Sequence, residues 1–136
     1  MNNWRTMSIG EAVDKLIIIE IKRQKLVLDS DMRDMLDEQS LIMRDGLTAQ
    51  LQLMENEKEI TPRFVKLYKL LHKCNLRQWD WEDSVIAAPT YEEAGKYAYR
   101  SRCYNMRRAK LKREIDKLFN SKFLEVKEYA SRKEKT

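Results

Sequence analysis

The stretch "YRSRCYNMRRAKLKREID" (Tyr99–Asp116) decides the fold class. It holds neither Gly nor Pro and is rich in Arg and Lys, residues that lose little on entering a helix. At 100° per residue, the apolar arc of this helix runs through Ala94, Tyr97, Ala98, Ser101, Tyr104, Leu111, Ile115 and Phe119. Arg108 falls in the middle of that arc, with Asn105 and Lys112 on its shoulder. A cation on the greasy side of a helix must find a partner or water, because an isolated buried charge costs several kcal/mol.

Working outward, the same helical grammar covers the whole chain. Gly is 3 and Pro is 2 in 136 residues, too few for a fold built on hairpin turns. Ser8-Ile9-Gly10-Glu11 is a capping box and predicts a first helix from about Ile9 to Leu28. Asp29-Ser30-Asp31 punctuates and caps a second, from about Met32 to Glu57. Thr61-Pro62 predicts the start of a third, reaching about Ile86, with Thr as the cap and Pro at the first helical position. Ala87-Ala88-Pro89 breaks it. Thr90-Tyr91-Glu92-Glu93 is a second capping box and opens a fourth helix to about Phe119. Asn120-Ser121 hinges into a short last helix ending near Tyr129, followed by a solvated tail from about residue 131. The expectation is one all-α domain over residues 1–136: an antiparallel bundle of four long helices plus a short C-terminal helix, assembled as an oligomer. The oligomer is expected because Ile18 lies opposite the main apolar arc of the first helix and leaves it apolar nearly all round.

The net charge of +5 is unevenly spread. Residues 96–136 carry 14 Lys/Arg against 5 Asp/Glu, and residues 1–95 carry 13 against 17. A basic half attracts phosphates, nucleic acid or anionic lipid, or pairs with the acidic half. No stretch has the length and apolarity of a signal core or a membrane span. Cys74 and Cys103 show no metal spacing and read as free thiols in a reducing cytoplasm.

The same periodicity strands further polar groups on inward faces. Glu20 sits within the apolar arc of the first helix, with Arg23 one turn on. Tyr68, Asn75, Trp79, Glu82 and Ile86 form a stripe on the third, with His72 and Asp83 at its edge. The simplest arrangement sets Glu20, Glu82 and Asp83 against Arg23, Arg108 and Lys112. Such a network either fixes helix register or lines a cavity walled by Trp79, Tyr104 and Tyr68.

Four motifs carry several of these residues: "SIGEAVDKLIIIEIK" (8–22), "NLRQWDWED" (75–83), "NMRRAKLKREID" (105–116) and "SKFLEVKEY" (121–129). In this order they resemble an uncharacterised all-helical protein family of bacteria and phages, known only as a domain of unknown function. The resemblance spans nearly the whole chain and thins between Ser30 and Thr61. Gly10, Glu11, Asp14, Lys15, Ile21 and Lys22 carry the first motif. Asn75, Trp79, Glu82 and Asp83 carry the second. Asn105, Arg108, Lys112 and Ile115 carry the third, and Ser121, Glu125, Lys127 and Tyr129 the fourth. Met106 departs from the family's acidic residue and removes one carboxylate from any acid–base or metal role. The resemblance implies no activity, but it implies that the off-pattern polar residues are family features.

Four functions follow for testing. The first is binding, or sequestration, of an anionic, phosphorylated or nucleotide-like small molecule. The site would comprise Glu20, Arg23, Tyr68, Asn75, Trp79, Glu82, Asp83, Tyr104, Asn105, Arg108 and Lys112. In it the cations neutralise the anion and an aromatic ring stacks. The second is an all-helical pyrophosphohydrolase-like enzyme. It alone would call for Mg²⁺, held by carboxylate pairs such as Glu11/Asp14, Glu82/Asp83 and Glu92/Glu93. No Ser/His/Asp or Cys/His constellation accompanies these pairs, so binding without metal or cofactor is favoured over catalysis. The third is nucleic-acid binding through Arg102, Arg107, Lys110, Arg113 and Lys117, and the fourth is scaffolding.

Overall fold

The computed structural model describes residues 7–54 and 56–119. Four helices fill them, with no strand among the described residues: α1 (Ile9–Lys25), α2 (Ser30–Gln52), α3 (Glu57–Ala87) and α4 (Tyr91–Leu118). The expected short helix near residues 121–129 and the tail lie outside the described residues.

Local chemistry sets three of the four starts. The Ser8 hydroxyl accepts from the Glu11 amide at 3.1 Å. The Asp29 carboxylate accepts from the Met32 amide at 2.8 Å, and the Thr90 hydroxyl from the Glu93 amide at 3.2 Å. The third start differs from expectation. α3 begins at Glu57, about one turn before Thr61, and Pro62 lies inside it. Asn56 stands at the cap position with no side-chain cap bond, and the Thr61 hydroxyl donates back to the Glu57 carbonyl at 2.8 Å. Pro62 removes one helical bond near an exposed end, a small loss beside burying Ile60 with Phe64 one turn on. α1 ends at Lys25 rather than near Leu28, and Val27 beyond its end is fully exposed.

The helices alternate in direction. α1 and α2 form a hairpin, pinned where Arg23 meets Asp37 and Arg44 meets Glu20. α3 and α4 form a second and longer hairpin, the most extensive contact in the molecule. Phe64 meets Phe119 edge-on with ring centres 5.3 Å apart at one end of it, and Ser101 meets Glu82 towards the other. α1 lies against all three other helices. Val13, Ile17 and Ile21 of α1, Leu71 of α3 and Ile115 of α4 are wholly buried. Each contributes about 1.5–3 kcal/mol of transfer free energy. The apolar faces of α1 are therefore largely covered inside a single chain, with Ile18 left half-buried. Exposed apolar side chains gather instead on α2, at Met32, Met35, Leu41 and Ile42.

Candidate functional site

Where α1 crosses α4 the backbones come close. A Cβ on Gly10 would strike the Lys112 carbonyl and the Asp116 carboxylate. The buried Asp116 carboxylate accepts the Gly10 amide at 2.7 Å, so a side chain of α4 caps the start of α1. One turn along α1 is Asp14, its side chain 3% exposed. Arg108 grips it with two donors. Nε reaches Oδ1 at 2.8 Å and Nη2 donates to Oδ2. Asn75 Nδ2 donates to the same Oδ1 at 2.8 Å, and Lys112 Nζ stands 3.9 Å from Oδ2. Lys112 spends its closer contact, 2.7 Å, on Glu11. Two acids of α1 thus meet two bases of α4, and a buried amide of α3 completes the cluster. The Arg108 pKa is pushed up, first by its hydrogen bonds to Asp14, with burial opposing them.

This geometry corrects the expected pairing. Arg108 and Lys112 are balanced by Asp14 and Glu11, not by Glu20, Glu82 or Asp83. Glu20 sits elsewhere on α1, accepting from the Tyr68 hydroxyl and from Arg44 Nη2, both at 2.9 Å. Burial, then the charge and hydrogen bond of Glu20, push the Tyr68 pKa well above the ordinary phenol range. Arg23 pairs with Asp37 at 2.7 Å on the exposed side of the first hairpin. Asn105 is exposed on α4. Tyr104 faces the outer seam between α3 and α4, where the Arg107 guanidinium lies 5.1 Å from its ring centre.

Five of the expected residues do share one cavity. A pocket of about 320 Å³ beside the Asp14 cluster is lined by Ile18, Asn75, Gln78, Trp79, Glu82, Asp83 and Arg108. Its walls are rich in acceptors. Asn75 Oδ1 and Gln78 Oε1 are buried and meet no donor among the described residues. Glu82 accepts from the Ser101 hydroxyl, and no described cation pairs with Asp83. Among the described residues no three of His, Cys, Asp and Glu converge to hold a metal, so the carboxylate pairs read from the sequence stay separate.

Gln78 and Asp116 escaped the reading of the chain as site residues, and Asp14 entered it only as half of a carboxylate pair for a metal. Asp14 carried a signal: Gly10, Ile17 and Ile21 recur around it at helical spacing and are all buried. The logic that singled out Arg108 on α4 applies equally to Asp14 on α1. Gly10, Glu11, Asp14, Asn75, Arg108 and Lys112, drawn from three separate motifs, end in one cluster. Comparison of the chain with family models, curated proteins and solved structures finds no match in any of the three.

Proposed function

We propose that this protein is a small-molecule binding protein whose pocket, between α1, α3 and α4, accepts a flat ring bearing hydrogen-bond donors. The observation that carries this reading is the pocket's lining of Asn75, Gln78, Glu82 and Asp83, in which the buried amide oxygens Asn75 Oδ1 and Gln78 Oε1 meet no donor among the described residues. A buried acceptor without a donor costs about 1–3 kcal/mol, and a ligand N–H offsets that cost. Trp79 offers a ring for stacking, and the volume suits one heteroaromatic system.

The expected ligand was anionic, through Arg108 and Lys112. The Asp14 cluster argues for turning it around. Both cations are balanced by acids, and a phosphate in the pocket would face Glu82 and Asp83. An amino-substituted heteroaromatic ring, the base half of a nucleotide-like molecule, fits these walls, with any phosphate outside. Self-association belongs to the same proposal, now through the exposed apolar residues of α2 rather than through α1.

Thermal denaturation with adenine, cytosine and guanine set against phosphate and pyrophosphate tests the reading. At least one base should raise the melting temperature while the inorganic anions do not, and Glu82→Gln should weaken that base about tenfold. Stabilisation by phosphate alone would return the pocket to the anionic reading.

A further inference from the structure

The outer seam of the α3/α4 hairpin, on the side away from α1, carries a second feature. Two hollows lie along it, about 790 and 410 Å³, and they share Leu70 and Glu114 as lining residues, so they form one groove. Arg63, Lys66 and Lys73 line it from α3, and Arg107, Lys110 and Lys117 from α4. Glu59 and Glu114 are the acids among them. None of the six cations forms an ion pair with another described residue. Helical spacing explains the alignment: positions 63, 66, 73 and 77 of α3 fall on one face.

Flat rings accompany the charge. Tyr104 lines the groove with the Arg107 guanidinium over it, 5.1 Å from the ring centre. Further along the same seam, Trp81 of α3 stacks on Tyr97 of α4, centres 5.6 Å apart, and Arg100 lies 5.9 Å from the Trp81 ring. The cations line the groove from Arg63 to Lys73, and rings follow at Tyr104 and then Trp81, a run of about 27 Å from Arg63 to Trp81 at the helical rise. At the ~3.4 Å stacked spacing of nucleotides this holds about eight of them.

We propose that this groove binds single-stranded nucleic acid. Phosphates follow the two rows of cations. Bases stack on Tyr104 and Trp81, taking the place of the guanidinium groups, which swing to the backbone. A recessed groove favours this partner over an anionic bilayer, since a flat surface would meet the rims and leave the rings untouched.

Fluorescence anisotropy with a labelled twelve-nucleotide deoxythymidine strand tests it on the full chain. Saturable binding is expected. Six neutralised phosphates give a slope near −4 in log K against log salt, a loss of about 15-fold for each doubling of salt. The exposed double change Arg107→Glu with Lys110→Glu should cost at least 100-fold with an unchanged circular dichroism spectrum. Lys66→Glu on the opposite wall should cost about tenfold. Tyr104→Leu should lose at least fivefold with the salt slope unchanged, while Glu82→Gln in the separate pocket should leave binding as it was. Three results would overturn the proposal: no binding at 50 mM salt, Tyr104→Leu binding like the parent, or tighter retention on phosphatidylserine vesicles or on the matched duplex.

Discussion

Arg108 shows how one inward cation organises its surroundings. Its partner Asp14 is almost wholly enclosed, so removing the guanidinium leaves a buried carboxylate with only Asn75 and a distant Lys112. Arg108→Ala should therefore lower stability by about 3–5 kcal/mol, measured by urea unfolding. Replacing both partners with apolar groups, Asp14→Leu with Arg108→Met, should recover much of that loss, because no charge is then stranded. A double variant no better than the single one would show that the pair's hydrogen bonds, rather than the stranded charge, carry the cost. Tyr68 makes a second prediction at this scale. Its folded pKa is raised, chiefly by burial, so the folded chain holds the phenol proton more tightly than the unfolded chain. The associated stability is complete below about pH 10, the unfolded value, and falls as pH rises beyond it. Cys74, also raised by burial, adds to the loss above about pH 9. Melting curves from pH 8 to 11 should show this decline, and Tyr68→Phe should make it shallower.

At the scale of the element, the crossing of α1 and α4 depends on one missing side chain. Gly10 lets the α4 backbone approach, and Asp116 uses that approach to take the Gly10 amide. Gly10→Ala places a methyl group against a main-chain carbonyl that cannot rotate away, so the helices must separate. A loss of about 1–3 kcal/mol is expected in chemical denaturation, in spite of the better helix propensity of Ala. An unchanged midpoint would mean that the crossing shifts freely. α3 adds a different lesson. Thr61-Pro62 has the grammar of a helix start, yet the helix begins earlier. The apolar face through Ile60 and Phe64 outweighs a single lost hydrogen bond at an exposed end.

For the whole molecule, α2 is the outlier. It packs chiefly on α1 and only slightly on α3, and it leaves Met32, Met35, Leu41 and Ile42 exposed. Met32, Met35 and Ile42 fall on one side of α2, within about 80° of one another, and an apolar side left uncovered on a helix suits self-association. Light scattering after size exclusion should give a mass above one 16.4 kDa chain, and Ile42→Glu should return it to that value. A single-chain mass for the parent would remove self-association through α2. Among the described residues no helix is long and apolar enough to cross a membrane. The basic outer seam and the acceptor-lined pocket lie on different sides of α3, so variants can test the two proposals separately.

What the amino-acid order determined by itself is whatever acts within about four residues. Helix type follows from propensity and spacing, and the caps at Ser8, Asp29 and Thr90 each close over three residues. The inward position of Arg108 was also legible, because helical periodicity is a local property. Its partner was not. Asp14 lies 94 positions away in the chain, and Asn75 lies 61 positions from Asp14. Tertiary packing alone decided that Asp14, and not Glu20, neutralises Arg108. It did so because Gly10 sets how closely and in what register α1 meets α4. The same packing dispersed the eleven expected site residues: five line the pocket, Lys112 joins the Asp14 cluster, Glu20 with Tyr68 and Arg23 find partners elsewhere, Tyr104 lines the outer groove and Asn105 is exposed. It also set Asn75, Gln78, Glu82 and Asp83 around the pocket while Asp14 and Glu11 balance Arg108 and Lys112, and a charge already balanced by a neighbour is less free to serve a ligand.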